Sequence, residues 1–204
     1  MDASGQETEA KFYVRDLNRV KSRLEELGAD LIQERVLETN IRFDLPGAPL
    51  RAEGRVLRLR HDTRARFTYK SASTNTQGVL SREEIEFVVE DFEKAKRFLE
   101  ALGYQKLVYY EKHRTTYELN DTLIMLDELP YGNFVEIEGD AVESIRAIAS
   151  QLNLRWDCAI GTSYNALFER ARKSLNLSVQ DLSFANFGDI RVAAADLGVD
   201  LADT

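Results

Sequence analysis

The chain is poor in the residues that form disulfides and soft metal sites, with one cysteine, Cys158, and two histidines in 204 residues. A single cysteine excludes an intramolecular disulfide and a cysteine-based metal site. His61 lies near a turn, and His113 is expected on the outer face of a strand, so neither is a good ligand candidate. Any metal bound here would therefore rely on carboxylate oxygens.

Long apolar runs and an excess of positive charge are also missing. No segment has the length of a membrane span, and the first residues lack the hydrophobic core of a signal peptide. The formal net charge of -8 argues against a nucleic-acid-binding surface, which is normally basic. These absences predict a cytoplasmic protein with neither membrane nor nucleic acid as a partner, and the length suits one domain with a sizeable core.

Charged residues are abundant, and they follow the alternation of a β-strand. In residues 7–12, Glu7, Glu9 and Lys11 share one face, while the residues between them point to the other. Five later segments repeat this spacing opposite apolar residues. Their charged or polar pairs are Arg58 and Arg60, Thr68 and Lys70, Glu84 and Glu86, Lys112 and Arg114, and Glu136 and Glu138.

The apolar faces of these strands need burial, and two helical segments can cover them from outside. The charged faces would then turn toward one another, as in a closed barrel with a polar interior. So many interior charges are costly unless they are paired or used on a ligand. The sequence therefore predicts a charged lumen with a binding function.

Two halves of the chain follow a similar plan. Glu84 and Asp91 each lie 75 residues after Glu9 and Asp16, and a Leu-Gly pair ends both predicted helices. Asp16 and Asp91 are expected to cap these helices. Other strands are predicted at 30–43, 54–62, 64–71, 105–118, 121–127 and 133–139, a polar loop at 71–78, and helices from 141 and 163.

The last part of the chain, residues 176–204, is too apolar for a disordered tail. It contains Leu182, Phe184 and Phe187. We expect this segment to dock on the rest of the protein, or to form a lid or an oligomer contact.

The Glu7-x-Glu9-x-Lys11 pattern resembles the signature of the CYTH superfamily, which groups class IV adenylyl cyclases, thiamine triphosphatases and other triphosphate-processing enzymes. The agreement runs over roughly residues 5–170 and includes the charged pairs above in the same order. Three short stretches look most like the class IV cyclase branch. They are Glu111-Lys112-His113-Arg114, Leu126-Asp127 and Ser163-Tyr164.

This resemblance implies an α+β fold: an eight-stranded antiparallel β-barrel, called a triphosphate tunnel, with helices packed outside. We interpret residues 1–175 as the CYTH triphosphate-tunnel domain and residues 176–204 as a C-terminal extension of unknown role. The resemblance also implies a small-molecule triphosphate as the partner, and a homodimer.

The residue types suit a triphosphate and a hard cation. Arginines give bidentate contacts to phosphate and lysines give point charges. The predicted triphosphate-binding residues are Lys11, Arg58, Arg60, Lys70, Lys112 and Arg114. Carboxylates beside an anion require a cation between them, so Mg²⁺ or Mn²⁺ is the expected cofactor. Its predicted ligands are Glu7, Glu9, Glu136 and Glu138.

Two further roles are predicted for the lumen. Glu84 or Asp127 could orient the nucleophile as a catalytic carboxylate. Leu123 and Met125 share the face of Asp127, and they either contact an organic moiety such as adenine or fill the narrow end of the barrel.

Three functions fit these residues. The leading one is a metal-dependent, class IV adenylyl cyclase-like enzyme that converts ATP to cyclic AMP and pyrophosphate. The second is a metal-dependent triphosphatase that hydrolyses thiamine triphosphate, inorganic triphosphate or a nucleoside triphosphate. The third is a noncatalytic polyphosphate- or nucleotide-binding module, although binding alone would not need the carboxylates.

Overall fold

A computed structural model describes the backbone of residues 6–76 and 79–204, and the side chains of residues 8–75 and 79–204. The strands of this part are β1 (Gln6–Val14), β2 (Asp30–Asp44), β3 (Val56–His61), β4 (Ala65–Lys70), β5 (Thr74–Thr76), β6 (Val79–Val89), β7 (Gln105–Leu119), β8 (Thr122–Leu129) and β9 (Gly132–Glu138). The helices are α1 (Leu17–Glu26), α2 (Pro49–Ala52), α3 (Phe92–Ala101), α4 (Val142–Gln151), α5 (Tyr164–Ser174), α6 (Phe184–Phe187) and α7 (Ala194–Leu197).

Eight strands form a closed antiparallel ring. Their order is β1-β9-β8-β7-β2-β3-β4-β6, and a pairing between β6 and β1 closes it. Closure leaves no free edge in the ring and gives each strand an inner and an outer face. The ring confirms the predicted eight-stranded antiparallel architecture with helices outside.

The segment 71–78 was predicted as a polar loop, and this expectation was wrong in one respect. Residues Thr74–Thr76 form β5, which pairs with the first residues of β6. β4 pairs with β6 only from Glu84 onward, so the beginning of β6 has backbone groups available to β5 on that side. Pairing satisfies these groups.

The helices cover part of the outer face of the ring, whereas Ile85 and Phe87 on the outer face of β6 are 51% and 56% exposed. Asp16 caps α1 by accepting a hydrogen bond from Asn18 N at 2.9 Å, and Asp91 caps α3 by accepting one from Lys94 N at 2.8 Å. Both predicted caps are therefore present. Residues of α1 and α4 pack against the outer faces of β1, β8 and β9, and residues of α3 pack against β2 and β3.

The two halves of the chain are related within the ring. β1 and β6 are each followed by a capped helix of 10 residues and then by a strand of 15 residues, β2 or β7. β1 pairs with β6, and β2 pairs with β7, both antiparallel. Equivalent strands thus meet across an approximate twofold axis, as the internal repeat predicts.

The C-terminal segment docks against the ring. Leu182 is buried and pairs with β7, where its amide donates to Tyr109 O at 2.9 Å and its carbonyl accepts from Glu111 N at 2.8 Å. The Glu111 carboxylate also accepts a hydrogen bond from Phe184 N at 3.0 Å. In the part of the chain that the structure describes, no helix combines the length and apolarity needed to cross a membrane.

Candidate functional site

Strand alternation directs the charged side chains into the ring. On β1, Ala10 and Phe12 belong to the core beneath α4, so Glu9 and Lys11 point to the lumen. On β9, Val135 and Ile137 lie in the same core, which places Glu136 on the inner face. The pairing of β1 with β9 agrees with this orientation, since Lys11 lies directly opposite Glu136.

Lys11 joins two carboxylates on the inner face. Its Nζ lies 2.6 Å from Glu136 Oε2 and 3.6 Å from Glu9 Oε1. Burial alone would lower the pKa of Lys11, but the charges of Glu136 and Glu9 outweigh it and raise the pKa above its usual value. Lys11 is therefore a permanently charged group inside the lumen.

Asp127 is the most completely enclosed carboxylate of the site, with no solvent exposure. Arg114 donates to both its oxygens at 2.6 Å, and Lys112 Nζ donates at 3.1 Å. The hydroxyl of Tyr164 donates to Oδ2 at 2.7 Å. With these donors in place, Asp127 holds the basic side chains in fixed positions.

A second set of ion pairs lies across the lumen. Arg60 donates to Glu86 at 2.8 Å, while Arg58 lies 3.7 Å from the other oxygen of Glu86. Lys70 pairs with Glu84 at 2.6 Å. The hydroxyl of Thr68 also donates to Glu86 at 2.8 Å. Glu86 is thus the carboxylate that Arg58, Arg60 and Thr68 contact in common.

Glu38 connects the two sets. Its carboxylate lies 3.6 Å from Lys112 Nζ and 3.7 Å from Arg60 Nη1. Burial acts to raise the pKa of Glu38, but Lys112, Arg114 and Arg60 outweigh it and hold the pKa well below its usual range. Burial likewise acts to raise the pKa of Glu136, but the charges of Lys11 and Arg114 outweigh it and lower the pKa. Both carboxylates are therefore ionised at neutral pH.

One end of the lumen is closed by α5 and the C-terminal segment. The inner-face residues Tyr13, Val108 and Phe134 belong to the core that these elements form. Tyr164, the first residue of α5, places its ring 4.4 Å from Lys11 Nζ and packs edge-on against Phe134. We call this the closed end.

The structure brings most of the predicted site residues to one lumen. All six predicted triphosphate-binding residues and both predicted catalytic carboxylates lie on inner faces, as do Glu9 and Glu136. Glu138 lies opposite Glu9 in the pairing of β9 with β1, whereas the side chain of Glu7 is outside the described part of the chain. Met125, opposite Glu136, also faces inward, and Leu123 lies opposite Glu138.

The predicted metal ligands do not form a ready coordination shell. In the described residues, no three His, Cys, Asp or Glu side chains gather closely enough to hold an ion. Lys11 lies between the Glu9 and Glu136 carboxylates instead. Their oxygens are nevertheless of the type that Mg²⁺ and Mn²⁺ prefer, so the donor chemistry fits these ions.

Several lumen residues were not among the predicted site residues. Glu38, Asn40 and Arg42 alternate along β2 with the outward-facing Ile41 and Phe43. This spacing is visible in the sequence and could have identified them. Tyr110 and Arg82 could have been found similarly, since each continues the alternation of its strand. The approach of Tyr164 to Asp127 depends on how α5 packs, and no strand alternation predicts it.

Comparisons with known proteins agree with this architecture. The CYTH domain model matches residues 5–149. A Methanocaldococcus jannaschii protein named as a candidate adenylate cyclase is 29% identical over 169 residues, which cover 78% of this chain and 95% of that protein.

Solved structures share the fold. A candidate adenylate cyclase from Vibrio parahaemolyticus superposes with a TM-score of 0.73 at 20% identity, covering 80% of this chain and 97% of that one. A Hippeastrum protein, described as a candidate adenylyl cyclase with a dominant triphosphatase activity, has a TM-score of 0.61 at 16% identity and covers 80% and 95% of the two chains.

Proposed function

The chain belongs to the CYTH domain family, and from this premise we propose that it is a metal-dependent enzyme that converts ATP to cyclic AMP and pyrophosphate in its lumen. The observation that carries the proposal is the convergence of six basic side chains on the inner faces of the closed ring, each within ion-pair distance of a carboxylate: Lys11, Arg58, Arg60, Lys70, Lys112 and Arg114. The name of the Methanocaldococcus jannaschii relative supports the choice of reaction.

The basic residues would bind the triphosphate. Arg58, Arg60 and Arg114 can offer paired N–H donors, and Lys11, Lys70 and Lys112 can offer point charges. Because carboxylates already fix these side chains, little side-chain freedom is lost when the anion binds. The lumen is therefore preorganised for a phosphate chain.

We propose that Mg²⁺ or Mn²⁺ binds mainly through Glu9 and Glu136, with Glu7 and Glu138 as further ligands. When bound, the ion would stabilise negative charge on the phosphate oxygens. The ammonium of Lys11 neutralises Glu9 and Glu136 in this structure, so it is a basic group that could instead contact the phosphate if a cation were held by these carboxylates.

The two predicted catalytic carboxylates receive different roles. Asp127 is fully buried and accepts from Arg114, Lys112 and Tyr164, so it acts as a positioning residue. Glu84 is partly exposed and pairs with Lys70. It is the better candidate to orient a hydroxyl nucleophile. In the cyclase reaction the ribose 3′-oxygen would form a bond to the α-phosphorus and pass its proton to solvent, and the bond from the α-phosphorus to the bridging oxygen would break as pyrophosphate leaves.

Hydrolysis of a triphosphate is the second candidate function. The activity stated for the Hippeastrum protein favours it, because that protein has the same fold. Water would then attack the terminal phosphorus, the bond from this phosphorus to the bridging oxygen would break, and orthophosphate and the diphosphate part would be released. The two reactions differ in whether an organic moiety must be placed. Leu123 and Met125 are the residues proposed to contact adenine, and Leu123→Ala should then weaken the preference for ATP over inorganic triphosphate.

Product analysis tests the proposal. Purified protein would be incubated with ATP, inorganic triphosphate and thiamine triphosphate, each with Mg²⁺ or Mn²⁺. Cyclic AMP with pyrophosphate supports the cyclase, whereas orthophosphate without cyclic product overturns it in favour of a triphosphatase. The Glu9→Gln variant should lose turnover of either kind while still binding the triphosphate. Absence of turnover of all three compounds would leave only the binding-module function.

The proposed partners and location rest on the resemblance and on the composition of the chain. We propose a small-molecule triphosphate as the ligand of a cytoplasmic homodimer, with neither nucleic acid nor membrane bound. The net charge of -8 supports the exclusion of nucleic acid.

A further inference from the structure

Arg42 projects into the lumen near its closed end. Its neighbours in sequence, Ile41 and Phe43, are buried in the outer core beneath α3, so alternation turns Arg42 inward. The register places Arg42 opposite Arg58 on β3 and opposite Val108 on β7. Val108 belongs to the core that closes this end.

Arg42 differs from the basic residues that line the lumen beside it in having no carboxylate within ion-pair distance among the described side chains. Lys11, Lys112, Arg114 and Arg60 each lie within ion-pair distance of two or more carboxylates. Arg42 forms no ion pair with any side chain that the structure describes. Its Nε is enclosed and has no hydrogen-bond partner.

The surroundings of Arg42 are positively charged. Burial lowers the pKa of Arg42, and the nearby guanidiniums of Arg58, Arg51 and Arg82 lower it further, while Tyr110 acts in the opposite direction. Arg58 itself is weakly paired, with Glu86 at 3.7 Å and the hydroxyls of Thr68 and Tyr110 at 3.2 and 3.4 Å. An enclosed charge without a partner is costly to the folded protein.

We propose that Arg42 and Arg58 form an anion subsite at the closed end of the lumen, which receives the terminal phosphate of a linear phosphate chain. This inference rests on the proposed function and adds the direction in which the chain lies. Two adjacent guanidiniums can together offer paired donors to one phosphate group. The organic end of a substrate would then point away from Arg42 and from the closed end.

The subsite predicts discrimination by chain length. On the proposed arrangement, the terminal phosphate of tripolyphosphate contacts Arg42 while the other phosphates remain among Lys11, Lys112 and Arg114. Pyrophosphate is shorter, and it can bind to those residues without reaching the closed end. Removal of the Arg42 charge should therefore weaken tripolyphosphate binding much more than pyrophosphate binding.

The experiment measures the affinity of both anions by calorimetry, without divalent metal, for the wild type, Arg42→Met and Arg35→Met. Arg35 is the matched control, since it lies on the outside of the ring paired with Glu128. Arg42→Met should bind tripolyphosphate about tenfold to a hundredfold more weakly and pyrophosphate less than about threefold more weakly. Arg35→Met should bind both like the wild type.

A thermal melt without ligand separates this role from a structural one. Because Arg42 has no ion-pair partner among the described side chains, Arg42→Met should melt no lower than the wild type, whereas a structural arginine would give a lower melting temperature. Equal weakening for both anions, or none, would overturn the subsite.

Turnover of triphosphates by the wild type is measured in a separate assay. Wild-type protein that binds tripolyphosphate through Arg42 but turns over no triphosphate would overturn the proposed enzyme and leave the subsite standing. Wild-type protein that binds no tripolyphosphate under these metal-free conditions would overturn the subsite, whereas the proposed enzyme is tested by the product analysis with metal.

Discussion

Replacement of Asp127 by asparagine should destabilise the protein strongly, although the two side chains have nearly the same shape. Asp127 has no solvent exposure and neutralises two buried cations, Arg114 and Lys112. An amide removes the negative charge and one acceptor oxygen. The cations would then remain enclosed with less compensation, which is the costly way to break a buried ion pair.

The contacts that Arg114 and Lys112 keep in Asp127→Asn determine how much the free energy of unfolding decreases. Removal of one partner of a buried pair costs about 3–5 kcal/mol. Arg114 keeps Glu136 at 3.0 Å and Lys112 keeps Glu38 at 3.6 Å, so the loss should lie near the lower bound. We expect a decrease in the free energy of unfolding of about 3 kcal/mol. For a chain of this size, that corresponds to a melting temperature lower by about 6–12 °C.

Glu128 provides a matched control on the next residue. It forms a similar two-point contact with Arg35, at 2.7 and 3.0 Å, but on the outer face, where the side chains are 37% and 52% exposed. Glu128→Gln should cost about 1 kcal/mol or less, and salt should reduce this loss. Urea unfolding at neutral pH measures both variants. If Asp127→Asn loses no more stability than Glu128→Gln, the lumen network does not hold the fold as argued.

Two further predictions concern acid stability and the C-terminal segment. The pKa of Glu38 is lowered from 4.5 in the folded protein. Its contribution to stability is therefore fully present above about pH 4.5 and is lost as the pH falls through the folded pKa. Urea unfolding between about pH 7 and 3 should show a shallower acid decline for Glu38→Gln, by up to about 1.4 kcal/mol per pH unit. Parallel declines would contradict this. Leu182→Ala should cost about 2–5 kcal/mol, because Leu182 is buried at the junction of β7 and the C-terminal segment. Leu31→Ala, at a half-exposed position, is its control, and equal losses would show that the segment is not docked in solution.

Most of the fold could be predicted because strand alternation carries both structural and functional information. Inward charges and outward apolar residues specify the same faces on β1, β3, β4, β6, β7 and β9. The helix caps at Asp16 and Asp91 are local features, and the sequence predicts both correctly. β5 was missed because its pairing depends on where β4 stops along β6, which is not a local property.

The site was harder to predict in full. Glu38, Asn40 and Arg42 follow the alternation rule, but their strand begins with irregular pairing, where the register shifts between Leu31 and Val36. Tyr164 gives no alternation signal, because it reaches Asp127 from the first turn of a helix. Sequence patterns thus predicted which strands line the lumen and that residues 176–204 could dock or form a lid, but not that α5 and Tyr164 close its end.

The C-terminal segment contacts α5, and α5 in turn contacts the residues of the lumen. Arg170 donates to Leu197 O at 3.2 Å, and Ser174 donates to Asp196 at 2.6 Å, so α7 holds the outer side of α5. The first residue of the same helix, Tyr164, donates to Asp127 and covers Lys11. Residues 176–204 therefore stabilise the helix that closes the lumen, although they contribute none of the predicted charged groups. A loss of this segment should affect the binding of a phosphate chain through the position of Tyr164, before it affects the ring itself.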